Sequence, residues 1–155
     1  MKVPKSVMIS ELDEISVEKC QREWDQITKG EITNEYFPVV ADRLNMRINI
    51  THNFTTIVTG HGNTRSYLHR FKIIETPTCP CGTKDQTIDH LLFECELLNK
   101  ETDSLTSTVK TVKTDVWPTS KNKFIRKHFK IYVKFTNGIS FNKLNEVLNP
   151  SYQVD

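Results

Sequence analysis

The stretch CPCGTKDQTIDHLLFEC, residues 79–95, decides the fold. It contains three cysteines and one histidine, Cys79, Cys81, His90 and Cys95, which are residue types that bind zinc. In an extended chain, residues two apart point the same way, so Cys79 and Cys81 can face one ion. Four residues separate His90 from Cys95, a spacing found in His-containing zinc sites. The pattern predicts a Zn²⁺ site; the alternative is three unrelated thiols and a surface histidine.

Two spacings constrain the geometry of this site. The single residue between Cys79 and Cys81 is a shorter gap than zinc-binding cysteine pairs usually have. On an ideal helix, residues five apart such as His90 and Cys95 lie about 140° from each other. The helix must therefore loosen near Cys95 or end there. Because all four ligands come from the protein, we expect a structural rather than a catalytic ion.

The length and composition predict one domain with a modest core, and the charge is unevenly distributed along the chain. The chain has 155 residues, 37% of them hydrophobic, and a net charge of +2. Residues 100–150 carry ten basic and four acidic side chains, a balance that suits RNA or DNA. No apolar run is long enough for a signal peptide or a membrane span. We therefore expect a nuclear or cytoplasmic protein that is not secreted, where clustered cysteines bind metal rather than form disulfides.

Hydrophobic periodicity predicts a mainly α fold, a small helical domain with an embedded Cys-Cys-His-Cys zinc knuckle. A helix from Ser10 to Ile27 places Cys20 on an apolar stripe, which predicts a buried thiol. Short helices are expected on both sides of the glycine turn at residues 60–62. A further helix is expected over residues 120–136.

Two basic surfaces are candidates for contact with nucleic acid. The first is a lysine stripe on the predicted 120–136 helix, with an arginine near it: Lys123, Arg126, Lys127, Lys130 and Lys134. The second lies just before the cysteine cluster and includes an aromatic ring that can stack on unpaired bases: Arg65, Tyr67, Arg70 and Lys72. For both, the alternative is a solvated face with no partner.

A series of short motifs occurs in fixed order along the chain. They are WDQITKG at residues 24–30, YFP at 36–38, TGHG at 59–62, YLHRF at 67–71, CPCG at 79–82, DHLLFEC at 89–95 and WP at 117–118. Together they resemble the extreme C-terminal region of arthropod non-LTR retrotransposon polyproteins, the LINE-like reverse transcriptases. The resemblance runs from about residue 15 to residue 148.

This resemblance implies zinc ligands at Cys79, Cys81, His90 and Cys95, and an accessory domain that engages template RNA or target DNA during reverse transcription. The parent polyprotein would be an RNA-directed DNA polymerase, and its other domains would be partners of this chain. The implied organisation has three parts. They are an N-terminal amphipathic helix in residues 1–30 on the side of the parent enzyme domains, a zinc-knuckle domain in 31–112, and a basic helical region in 113–155.

The resemblance does not imply catalysis within this chain. Tyr132-Val133-Lys134 is not the Tyr-x-Asp-Asp motif of a polymerase, and no spaced carboxylates suggest a two-metal nuclease. We therefore expect either a nucleic-acid-binding fragment or a scaffold module in which zinc stabilises a protein-docking surface. The acidic side chains of the knuckle favour the scaffold, and the lysine stripe favours nucleic acid. An enzyme that uses His61 has the least support.

Overall fold

The fold of this chain, in a computed structural model that describes residues 4–146, is mainly α, as the periodicity predicted. Within that range the structure contains no strand, and a single isolated bridge pairs Thr78 with Asp85. The helices are α1 (Lys5–Asp25), α2 (Glu31–Tyr36), α3 (Val40–Asn45), α4 (His52–Thr59), α5 (Arg65–Arg70), α6 (Ile88–Phe93), a 3-10 turn (Glu96–Leu98), α7 (Asn99–Lys110), α8 (Lys121–Arg126), α9 (Phe129–Gly138) and α10 (Phe141–Glu146).

Helix α1 is the longest helix of the described residues and buries none of its side chains fully. Only its C-terminal end docks on the domain, where the Trp24 indole Nε1 donates to the Phe37 carbonyl at 2.8 Å. Gln21 adds to this contact by accepting from the Val40 backbone N–H at 2.7 Å. The prediction of a buried Cys20 was wrong: the thiol is exposed, because α1 docks through Trp24, one turn further along the same stripe, and not at Cys20.

The core lies where α2, α4, α7, α8 and α9 meet. Tyr36, Leu105, Phe124 and Tyr132 are each fully buried there. The rings of Phe124 and Tyr132 stack with centroids 4.8 Å apart, an arrangement that buries large apolar area in a specific geometry. Residues before and after position 113 thus share one core, and the three-part division of the chain remains a prediction.

The predicted helix over residues 120–136 is two helices, α8 and α9, separated at Lys127 and His128. His128 leaves the helical conformation, with φ −121° and ψ 25°. Its ring lies 3.0 Å from a carboxylate oxygen of Asp115, which is buried between the two helices and the preceding loop. Sequence periodicity missed the break because Asp115 is thirteen residues away along the chain.

The predicted helix from Ser10 to Ile27 is α1, which spans Lys5–Asp25, whereas the pattern at the glycine turn agrees with the structure. Helices α4 and α5 flank the 60–62 turn as predicted. Gly60 ends α4 in the left-handed conformation, φ 68°, which favours glycine. Within residues 4–146, no helix combines the length and the apolar character needed to cross a bilayer.

Candidate metal centre

A tight turn positions the first two cysteines of the cluster. The Cys79 N–H donates to the Lys84 carbonyl at 2.8 Å, and the Gly82 N–H donates to the Cys79 carbonyl at 2.8 Å. Gly82 has φ 79°, a left-handed conformation that side chains other than glycine rarely adopt. Cys79 and Cys81 are therefore held on the same side of a short hairpin, as their spacing predicted.

Helix α6 positions the histidine, and its end positions the last cysteine. The Thr87 hydroxyl caps the helix by accepting from the His90 N–H at 3.1 Å. The helix ends at Phe93, and the Cys95 N–H closes back on the His90 carbonyl at 2.8 Å. The prediction that the helix ends or loosens near Cys95 is therefore confirmed.

The four candidate ligand atoms converge. All of them lie within 4.8 Å of one another, and three of the four residues are buried. The sulfurs of Cys79 and Cys95 are 3.7 Å apart, and the Cys81 sulfur lies 3.1 Å from His90 Nε2. A tetrahedral zinc with Zn–S bonds of about 2.3 Å has a sulfur–sulfur edge of about 3.8 Å. The cluster is thus a Cys3His group at metal-binding distances, consistent with an ion such as zinc.

The thiols of the cluster also need a cation if they are to ionise together. Burial raises the pKa of Cys95 to about 12, and the nearby Cys79 sulfur adds to this rise. Burial likewise raises the pKa of Cys79. For Cys81, hydrogen bonds from Thr83, Cys79 and His90 outweigh the opposing effect of burial and lower the pKa to about 6. Burial therefore disfavours the thiolate forms of Cys79 and Cys95, a cost that a bound cation would offset.

Outer contacts orient the cluster. Gln86 is fully buried; its Nε2 lies 3.8 Å from the Cys79 sulfur and its Oε1 accepts from the Arg65 N–H at 2.9 Å. On the histidine, Nδ1 has no hydrogen-bond partner at standard distance, but the Glu94 carboxylate lies 3.6 Å away. Metal-bound histidines commonly present their second nitrogen to a carboxylate. Gln86 was not singled out from the sequence, since an isolated glutamine carries no spacing signal.

The lysine stripe does not form one free surface. Lys123 and Lys127 lie 2.9 Å and 3.3 Å from the same carboxylate oxygen of Asp115, and together with His128 they hold its pKa well below the ordinary range. Arg126 lies 4.0 Å from Asp42. Lys130 and Lys134 are exposed on α9, beyond the break in the helix.

The second basic surface is also divided. Arg65 is buried, and its Nη2 donates to the Thr76 carbonyl at 3.1 Å, which ties α5 to the entry of the hairpin. Arg70 and Lys72 are exposed, and Tyr67 is half-buried. The structure therefore gives Arg65 a contact within the fold. The assignment of these residues and of the α9 lysines to nucleic-acid binding stays a prediction.

The fold and the cluster together define a small helical domain built around a Cys-Cys-His-Cys group. Its homologues are Pol polyproteins of R1 non-LTR retrotransposons, which confirms the resemblance seen in the motifs. The Pol polyprotein of the type-1 element R1 of Bradysia coprophila is 36% identical over 78 residues, which cover 50% of this chain and 8% of that protein. The R1 polyprotein of Popillia japonica is 36% identical over 89 residues, 54% of this chain and 33% of that protein.

A third relative extends over almost the whole chain. The polyprotein of a Nasonia vitripennis R1 element is 21% identical over 146 residues, which cover 92% of this chain and 32% of the relative. The chain thus spans a third or less of the length of these three relatives. No protein-family model and no solved structure matches it.

Proposed function

We propose that this chain is a non-catalytic accessory domain of a retrotransposon reverse transcriptase that holds one structural Zn²⁺ and binds RNA or DNA. The observation that carries the proposal is a convergent Cys3His cluster in a chain whose homologues are Pol polyproteins. Cys79, Cys81, Cys95 and Nε2 of His90 would hold the ion. Four protein ligands leave no coordination position for a substrate or a catalytic water.

The ion would supply folding energy to a segment that is short of other contacts. Residues 77–87 form a hairpin with one isolated bridge and few buried apolar side chains. Zinc binding to small Cys/His peptides contributes about 10–16 kcal/mol of apparent free energy, which becomes folding free energy where the site is disordered without metal. Zinc would thereby fasten the hairpin to α6, and through Gln86 and Arg65 it would also fix α5.

The parent polyprotein would be an RNA-directed DNA polymerase, and this chain would follow its enzyme domains. Residues 1–30 would face those domains, and residues 31–112 would carry the zinc knuckle. Residues 113–155 would form the basic helical region. The exposed face of α1 is consistent with a segment that meets another domain. The place of action would be the nucleus or the cytoplasm.

A second function is favoured by one specific observation. Lys123 and Lys127, which were expected to contact phosphate, instead meet the Asp115 carboxylate within the fold. A further lysine, Lys121, is buried between Glu35 and Asp89. Such pairing lowers the positive field available to a polyanion. In this alternative the zinc site stabilises a protein-docking scaffold that does not bind nucleic acid.

Salt-dependent binding separates the two functions. The zinc-loaded chain is titrated into a fluorescently labelled single-stranded RNA and a duplex DNA, and anisotropy is followed between about 50 and 200 mM salt. The proposal predicts that the logarithm of affinity falls linearly as the logarithm of salt concentration rises, because added salt reduces the free energy gained by releasing counterions from the nucleic acid. Cys81→Ser, which lacks a ligand, and Cys20→Ser, which lies outside the cluster, form a matched pair: only the first is expected to lose binding. Absence of binding at the lowest salt would contradict the proposal and favour the scaffold.

A further inference from the structure

The positive side chains of this chain differ in whether the fold already neutralises them. Lys123 and Lys127 contact the buried carboxylate of Asp115. By contrast, no ion pair within residues 4–146 involves Lys29 or Arg70. Cations that lack an internal carboxylate keep their full charge for an external anion. The surface around Lys29 and Arg70 is therefore better suited to phosphate than the start of the lysine stripe.

Aromatic rings of α5 and of the residues that flank it lie beside Arg70. The rings of His61 and Tyr67 lie 5.1 Å apart, and those of Tyr67 and Phe71 lie 4.8 Å apart, so they form a row. The Arg70 guanidinium sits 5.3 Å from the Tyr67 ring centroid and 5.0 Å from that of Phe71. Phe71 is 54% exposed, so much of its apolar surface contacts water. A partner that covered the ring would remove this surface from water. We call His61, Tyr67, Arg70 and Phe71 the α5 surface.

A polar cleft opens beside the α5 surface. Its volume is about 560 Å³, within the range of ligand pockets, and Lys29, Glu31, His61 and Arg70 are among its lining residues. The loop before α2 and the end of α4 form its walls. The Ile32 side chain, at the start of α2, lies so close to Gly60 that a Cβ at Gly60 would meet its terminal methyl. The cleft thus places Lys29 and Arg70, which form no ion pair in the described structure, and the Glu31 carboxylate next to the row of aromatic rings.

We propose that the α5 surface and its cleft form a binding site for unpaired nucleotides, in which a base stacks on Phe71 and a phosphate meets Arg70 and Lys29. This inference rests on the proposed function, because it names the nucleic-acid form that the chain would bind. Stacking on an aromatic side chain suits any base, and arginine adds a cation–π contribution. The Glu31 carboxylate can accept hydrogen bonds from exocyclic amino groups of a base.

The geometry favours a single strand over a duplex. In a duplex each base already stacks on its neighbours, and only the base edges are exposed in the grooves. The α5 surface presents ring faces and no long helix: α5 itself has six residues, too short to lie along a major groove. Single-stranded RNA and single-stranded DNA share the chemistry that the site recognises, and the probes below distinguish them.

The decisive variant is Phe71→Ala, with Ile73→Ala as its control. Ile73 is an equally apolar neighbour, 66% exposed, but it has no ring. The probes are a fluorescent single-stranded RNA of about a dozen nucleotides, a length within known single-strand site sizes, the DNA strand of the same sequence, and the corresponding DNA duplex. Loss of one stacking ring is expected to weaken binding of the RNA or DNA single strand by about 5- to 150-fold, and to leave duplex binding unchanged.

Two further variants separate stacking from charge. Phe71→Tyr keeps a ring and is expected to restore single-strand binding to within a few-fold of the parent chain. Arg70→Gln removes one phosphate contact, so the slope of log affinity against log salt is expected to fall by about 0.7 on single strands. Zinc content and far-UV circular dichroism of each variant confirm that the fold is kept.

The outcomes for the two proposals differ. If the parent chain binds none of the probes at low salt, the proposed function fails and the site inferred here fails with it. If the parent chain binds single strands but Phe71→Ala and Ile73→Ala bind equally well, the chain is a nucleic-acid binder and the inference about the α5 surface is wrong. If Phe71→Ala weakens duplex and single strand alike, contact with unpaired bases is excluded as the mode of binding.

Discussion

Two buried tyrosines from distant parts of the chain meet in the core, and their hydroxyl groups offer a sharp test of the fold. Tyr36 at the end of α2 and Tyr132 on α9 are fully buried, and their hydroxyls hydrogen-bond to each other. Burial raises the pKa of both phenols, so both are neutral at physiological pH. The pair joins the region before the cysteine cluster to the basic C-terminal region.

Removing one hydroxyl leaves the other without a partner. Tyr132→Phe deletes the partner of the Tyr36 hydroxyl in a site that water does not reach, and an unsatisfied buried polar group costs about 1–3 kcal/mol. Tyr36→Phe is expected to cost a similar amount for the reciprocal reason. The double variant removes both hydroxyls at once, and replacing both partners by apolar groups of the same shape is close to neutral. Its stability is therefore expected to exceed that of either single variant.

Urea unfolding of the zinc-loaded chain and of the three variants measures this cycle. The expected pattern is two destabilised single variants and a double variant near the parent. The coupling energy is then about 2–6 kcal/mol in magnitude, because the double variant avoids the cost of about 1–3 kcal/mol that each single variant carries. In thermal unfolding, each kcal/mol lost from the free energy of unfolding lowers Tm by about 2–4 °C for a chain of this size. Strictly additive effects of the two substitutions would show that the hydroxyls do not meet, and would refute the contact between Tyr36 of α2 and Tyr132 of α9.

Two more predictions follow from backbone and charge. Gly30→Ala meets open space but must hold φ 86°, so it is expected to cost about 1–2 kcal/mol. Gly60→Ala at φ 68° carries the same kind of backbone strain, and its Cβ meets only the terminal methyl of Ile32, which can rotate away, so we expect a similar cost. Variants as stable as the parent in urea unfolding would contradict this strain. The folded state depresses the pKa of Asp115 below its unfolded value, so its contribution to stability is present above about pH 4 and is lost as the pH falls below that. Asp115→Asn should therefore be less stable than the parent at neutral pH, and this difference in stability should shrink as the pH falls. A difference in urea midpoint between the variant and the parent that is the same at pH 7 and pH 3 would contradict this prediction.

The cluster could be predicted from the sequence because its information is local. Four ligand-type residues within seventeen positions, with a glycine directly after the second cysteine, specify a turn and a convergent site. The angular mismatch between His90 and Cys95 on an ideal helix even located the end of α6 correctly. The helical class and the paired helices around the 60–62 turn followed from periodicity in the same way.

Features that depend on distant partners could not be predicted. The break between α8 and α9 involves the Asp115 carboxylate, thirteen residues before His128 in the sequence. The exposure of Cys20 depends on where the rest of the described structure contacts α1, which the sequence of α1 does not contain. The same limit applied to the lysine stripe. Helical spacing placed Lys123 and Lys127 on one face, but only the folded chain brings Asp115 between them.

The most direct test of the metal centre is the zinc content of the purified chain measured by native mass spectrometry. We expect one Zn²⁺ per chain, retained by Cys20→Ser and lost by Cys81→Ser, with residues 77–98 becoming unfolded in the Cys81→Ser variant or in the presence of a strong chelator. The apparent zinc-binding energy of about 10–16 kcal/mol is as large as the whole stability of a typical domain, so this loss should be visible in far-UV circular dichroism and in hydrogen exchange. A metal-free chain with the same spectrum and the same exchange protection, or zinc bound equally by Cys81→Ser, would contradict a structural zinc at this cluster.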